Sequence, residues 1–242
     1  MALVHNVIIR GLNSIYLQAR GVAPFKIKSV TPDNQPAVQL RDDFVEYCTI
    51  WAEFLHAHHH GEEEFLFPEV ERIIGVPGIM EPNVNQHEAF KPGLDEFDAY
   101  LKRVSGKSYK PAERVGEDKF LYGEELCRII DSFGEILVQH LQEEIPTLLA
   151  LEKFGDRLPI AELFEKEGKL VMSKVKMSTV LVFFVVCYDM EFEGGMHKHF
   201  PEAPAIIMFL CRYILPWFNR RLWKFAPCTP MGVLKELPYA SV

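Results

Sequence analysis

The 242-residue sequence has no Cys-x-x-Cys pair, no apolar run long enough to cross a bilayer, no glycine-rich phosphate loop and no basic excess. Its five cysteines, Cys48, Cys127, Cys187, Cys211 and Cys228, are odd in number and scattered, which excludes a disulfide framework and fits a reduced, cytoplasmic protein. The most apolar run, Val180 to Cys187, is eight residues, far short of the roughly 20 that a spanning helix needs. Pro204 to Phe218 is longer but is broken by Arg212 and Pro216. The opening residues, with His5, Asn6 and Arg10, lack the apolar core of a secretory leader. Without a phosphate loop no nucleotide or dinucleotide cofactor is implied. No Ser-His-Asp arrangement stands out and no cysteine has a base at a convincing spacing. With 26 basic against 34 acidic side chains, the chain lacks the cationic face by which proteins grip nucleic acid.

What is present is a globular composition, 48% hydrophobic and 25% charged, long enough to bury a sizeable core. The charge is unevenly spread. Residues 160–242 carry ten basic and eight acidic side chains, so the net charge of −8 arises from a part at −10 followed by one at +2.

Phasing at about 100° per residue predicts helices over 2–19, 37–72, 83–104 and about 118–152. Pro-rich connections fall at 21–36 and 75–82, and a polar one at 105–117. Pro92 predicts a disturbance in the third helix. Four long amphipathic helices joined by moderate loops imply an all-α, antiparallel up-down four-helix bundle over residues 1–152. The remainder, 153–242, reads as an appended, mostly helical segment that packs on the bundle. It has a short helix over 159–170, a strand or buried helix at 180–186, a turn at Glu193-Gly194-Gly195, a helix over 203–225 interrupted near Pro216, and a coil at the end.

The chemistry lies in the polar residues that interrupt the apolar stripes. His58 and Glu62 share a stripe with Phe44, Tyr47, Trp51, Leu55 and Phe65. His140 and Glu144 repeat the four-residue spacing beside Leu126, Ile129, Phe133 and Leu151. His5 and His87 face inward on the first and third helices. A single inward histidine is ordinarily a hydrogen-bonded core residue, and a single His-x-x-x-Glu is common on solvated faces. Four imidazoles and two carboxylates converging inside a bundle are not explained that way, because a buried carboxylate needs a cation. Metal sites in bundle cores are built in this manner. His56, His59 and His60 phase away from the interior and read as an exposed cluster. Glu63, Glu64 and Glu143 read as solvated or as supports for the ligands. His197 and His199 read as surface residues or as outside contributors.

In HNVIIRGLNSIY, HHHGEEEFLFPEVE, NQHEAF and QHLQEEIP, the chain resembles the hemerythrin-like family over residues 1 to 152. The resemblance implies a non-haem diiron centre, with one iron on His5 and His58, the other on His87 and His140, and Glu62 and Glu144 bridging them. It further implies dioxygen as ligand or co-substrate. Oxygen-carrying members have a further histidine one turn before that of the third helix; here Asn83 stands at that position, and an amide is a poor iron ligand beside imidazole. A less saturated iron favours reaction with dioxygen over reversible carriage. The function expected is that of an oxidase or oxygenase on an apolar small molecule, the alternative being an oxygen or iron sensor, carrier or store. The C-terminal segment resembles an extension of fungal members of the family. Its aromatics, among them Phe183, Phe184, Trp217 and Trp223, suit a packing layer or a wall that shapes access to the centre. The stretch WFNRRLWKF also suits contact with a membrane surface.

Overall fold

The protein is described by a computed structural model covering residues 1–110, 113–198, 200 and 204–240. Its first helix, α1 (Ala2–Val22), buries Val7, Ile8, Leu12 and Ile15. Then α2 (Gln35–Gly61) runs through a π-type turn, Glu62–Leu66, into α3 (Phe67–Ile74). The widened turn has a local cause. Pro68 has no N–H to return to the preceding turn, and the Phe67 N–H reaches back five residues to the Glu62 carbonyl. π-turns of this kind are frequent at functional sites. The remaining long helices are α4 (Glu81–Val104) and α5 (Gly123–Leu149).

These helices close a ring in which α1 packs on α2 and α5, and α4 packs on the same two. At one end His5, early in α1, meets the Leu141 carbonyl late in α5, and Glu62, just past α2, approaches His87, early in α4. At the other end Arg20 pairs with Glu124, and the Tyr100 hydroxyl donates to the Tyr122 carbonyl. Each helix is therefore antiparallel to its neighbours, as the sequence predicts. Trp51, Leu55, Phe97, Phe133 and Leu137 fill the interior, the apolar stripes facing one another. Gly11 is required where α1 passes closest. A Cβ there would lie 2.6 Å from the Phe183 ring and 2.8 Å from Trp51.

The disturbance predicted at Pro92 does not occur, since α4 continues through it. Pro92 and Glu88, whose carbonyl the proline leaves free, are both exposed, so that carbonyl stands at the solvent face where leaving it free costs little. The fourth predicted helix is shorter than expected and is flanked by 3-10 turns at Glu117–Lys119 and Ala150–Arg157.

The C-terminal segment begins with α6 (Ile160–Lys174), which lies on α2. The ambiguous run is a helix, α7 (Val182–Cys187), buried at every position and packed on α1. Among the described residues there is no strand, only an isolated antiparallel bridge between Cys228 and Leu234. Next come α8 (Ala205–Phe209), a π-type turn, α9 (Leu215–Phe218) and α10 (Arg220–Trp223). The interruption expected near Pro216 falls at Asn219, since Pro216 itself occupies the first turn of α9, where no N–H is needed. The stretch read as membrane-facing is split. Trp217 and Phe218 are exposed, while Leu222, Trp223 and Phe225 are buried in the same core as the bundle residues. Gln18 donates to the Phe225 carbonyl, and Arg221 pairs with Asp43 and Glu46 of α2. No single described helix is long and apolar enough to cross a membrane. All five cysteines are free and buried.

Candidate metal centre

The six residues singled out in the sequence meet at one end of the ring, all buried. His5 Nε2 is 3.0 Å from Glu144 Oε2, and His58 Nε2 is 3.2 Å from Glu62 Oε1. The other Glu62 oxygen is 3.7 Å from His87 Nε2, which is 3.0 Å from His140 Nε2. Two groups of donors result, each with its atoms within 4.8 Å of one another: His5, His58, Glu62 and Glu144, and His59, Glu62, His87 and His140. Glu62 belongs to both, whereas Glu144 belongs to the first alone.

The outer atoms of these residues are held so that the inner ones are free. His5 Nδ1 donates to the Leu141 carbonyl at 2.7 Å. His87 Nδ1 donates to the exposed Glu63 carboxylate at 2.5 Å. Gln86 gives its amide N–H to Glu143, which leaves its oxygen to accept from His140 Nδ1 at 3.0 Å. With protons on those Nδ1 atoms, the facing Nε2 atoms of His87 and His140 are both lone-pair donors. Two lone pairs 3.0 Å apart repel unless a cation lies between or beside them. Glu143 and Glu63 thus serve as outer supports while remaining at the surface, so both readings open to them apply.

Protonation preferences agree. Burial, then the neighbouring imidazoles, holds His58 and His59 well below the usual histidine range and His140 down at about 3. Burial, then the charges of Glu144 and Glu167, pushes Glu62 well above the usual carboxylate range. The inner atoms of His5, His58 and His59 and both oxygens of Glu62 and Glu144 are buried without hydrogen-bond partners. Burial of so many unpartnered polar atoms is costly, and bound cations remove the cost. The donor set, imidazole with carboxylate, suits iron and other divalent first-row metals.

One expectation needs correction. His59 does not belong to the exposed histidines; it is buried at 8% exposure, while His56 and His60 are exposed. Relative to Glu62, His58 stands four residues back and His59 three, about 40° to one side and about 60° to the other. The interior is wide enough to take both flanks, so the pair straddles Glu62 and each member enters a different donor group. Asn83, one turn before His87, is buried with both amide atoms unpartnered. The imidazole absent there is matched by His59 across the ring. His197 pairs with Glu193 and is in neither group, and His199 lies outside the described residues.

Each donor group borders a different opening. Beside His58 is a cavity of about 310 Å³ between the bundle and the C-terminal segment, walled by Phe54, Phe164, Phe184 and Phe200 and containing Glu167. Beside His59 and His87 is a wider groove of about 830 Å³ carrying His56, Glu63, Lys91, Asp95 and Lys174. Gly61 lets α6 pass between the two, since a Cβ there would come 2.7 Å from Val171 and 3.1 Å from Glu167 Oε1. Glu167 is itself buried, and burial, then the Glu144 charge, raises its carboxyl to about 7. It stands four residues after buried Leu163.

Residues 4–151 match the model of the hemerythrin HHE cation-binding domain. A protein of Cryptosporiopsis sp. (strain 8999), named dimeric xanthone biosynthesis cluster protein R11, is 32% identical over 240 residues, covering 98% of this chain and 80% of that protein. No solved structure matches. With a domain match over more than half its length, and with histidines and glutamates that fit a metal site, the chain belongs to the hemerythrin family of HHE cation-binding proteins.

Proposed function

We propose that the chain is a non-haem diiron protein that activates dioxygen and acts as an oxidase or oxygenase on an apolar small molecule. The observation that carries this reading is the pair of donor groups joined at Glu62, with the inner atoms of His5, His58, His59, Glu62 and Glu144 unpartnered and an apolar cavity against one group. His5, His58 and Glu144 would hold one ion, His59, His87 and His140 the other, with Glu62 between. Bound ferrous ions supply open coordination positions and the electrons for dioxygen reduction.

The chain's own residues prepare that chemistry. The Leu141 carbonyl, Glu63 and Gln86 fix the tautomers of His5, His87 and His140, which aims their Nε2 atoms inward. Phe54 and Phe184 keep bulk water from the His58 side. Glu167, raised to about 7, can hold or release a proton there near neutral pH. Phe164, Phe184 and Phe200 of that wall belong to the C-terminal segment, so that segment helps decide what reaches the centre. The relative's name ties it to the making of dimeric xanthones; an aromatic small molecule suits this cavity as well. A carrier or store needs no such cavity.

The test is metal content followed by single turnover. Purified protein should hold about two irons per chain, and the reduced form should consume dioxygen irreversibly. Uptake fully recovered under vacuum, or protein that takes up no iron, would overturn the reading.

A further inference from the structure

The cavity beneath α6 has one polar side chain that the metal centre does not use. Its side chains are apolar except for His58, whose inner nitrogen faces Glu62, and Glu167. The Met1 amino group also borders it, near Glu167 but not paired with it, and burial lowers that amine below its usual range. Glu167 is 6% exposed and, among the described residues, makes no hydrogen bond or ion pair. A buried carboxyl without a partner is costly, and this one borders an empty apolar space. A volume of about 310 Å³ lies at the lower end of small-molecule sites, roughly 300–1,000 Å³. Walls made of four phenylalanines favour a flat aromatic body by offset and edge contacts.

We propose that this cavity binds a planar aromatic molecule bearing a hydroxyl group, which Glu167 holds by hydrogen bond on the His58 side of the centre. The inference rests on the reading of an apolar small-molecule reactant given above and names its class. A hydroxyl suits the single carboxyl, because it offers one donor and accepts in return. An ammonium would bring three donors into a space with one partner. A carboxylate would be repelled by Glu167 and by Glu144 behind it.

The probe is 1-naphthol, followed by its fluorescence on titration with the full chain, both as isolated and after chelation. Naphthalene, 1-naphthylmethylamine and 1-naphthoate are the comparison probes. Naphthol should bind at least tenfold more tightly than any of them. Glu167→Leu should abolish that preference, Glu167→Gln should keep most of it, and both should retain the metal content of the parent. Gly168 lines the cavity, and a Cβ there meets nothing within 4 Å, so Gly168→Phe should fold and weaken naphthol and naphthalene alike by tenfold or more. A naphthol preference that survives Glu167→Leu overturns the inference, as does tighter binding of the amine. These readouts need neither iron nor turnover. If the protein takes up no iron, the proposed function fails while a Glu167-dependent preference still stands. If iron and dioxygen chemistry hold but the preference ignores Glu167, only the hydroxyl anchor falls.

Discussion

The two ends of the bundle bury polar side chains in opposite ways. At the end away from the histidines, Arg41 donates to the Leu121 and Phe25 carbonyls, and Arg114 bonds Asp42 and the Val104 and Lys119 carbonyls. Those two guanidiniums tie loops to helix ends, and of their nitrogens only Arg41 Nε is left buried without a partner. At the other end His5, His58, His59, Glu62 and Glu144 turn unpartnered atoms toward a common centre. Buried polarity that serves structure finds most of its partners in the chain and leaves single atoms over, and buried polarity that serves a ligand leaves whole groups facing one another without partners.

Removing the cations should therefore produce the largest effect in the molecule. A ligand that binds only the folded state at a thousand times its Kd adds about 4 kcal/mol per site. Chelation should lower the unfolding midpoint by many degrees, and Glu62→Ala should abolish binding at both positions, read by elemental analysis. Unchanged thermal unfolding after complete chelation would remove the contrast between the ends.

Arg41→Met tests the finished end. The two carbonyls it serves would be orphaned at about 1–3 kcal/mol each, partly offset by water near the surface. A loss of about 2–4 kcal/mol in denaturant unfolding is expected, with metal content unchanged. Loss of metal in this variant would mean that the two ends are not independent.

The same contrast explains what could be read from sequence. His5, His58, Glu62, His87, His140 and Glu144 betrayed themselves by standing in apolar stripes, where a polar residue needs a reason. His59 did not, because a single inward direction places it outside, and a centre for two ions presents two. Glu167 was hidden for a different cause. Its helix is rich in Glu and Lys, so its one buried acid resembles the solvated ones at Glu162 and Glu165. Helix α7 could not be told from a strand, since a run buried on all sides has no period. The bundle was legible because each of its helices is apolar on one face only.

His59→Ala separates the two donor groups. It should weaken the ion shared with His87 and His140 by tenfold or more, about 1.4 kcal/mol, and leave the one on His5, His58 and Glu144 in place. Iron per chain should fall toward one at limiting metal. His56→Ala and His60→Ala, altering exposed neighbours, should change nothing. Equal behaviour of the three variants would return His59 to the surface cluster.

The smallest expected effect concerns how the C-terminal segment is held to α2. Glu46 accepts from Arg221 of α10 at 2.5 Å and from Lys107 at 2.8 Å. Burial alone would raise its carboxyl, but those two bonds outweigh burial and hold it below 4.5. A carboxyl depressed in the folded state adds stability that is fully present above its unfolded value and is lost as the pH falls through its folded value. The contribution should be constant from neutral pH down to about 5 and fade below about 4.5. Arg221 and Lys107 are substantially exposed, so screening limits the worth of the clasp to about 0.5–1 kcal/mol. Glu46→Gln should lower stability by that amount at pH 7 and by progressively less as the pH falls below about 4.5, with the naphthol affinity of the cavity unchanged because Trp223, Phe225 and α7 still bury the segment. A deficit that does not diminish at all as the pH is lowered through the acid range would show that Glu46 acts through packing and not through its charge.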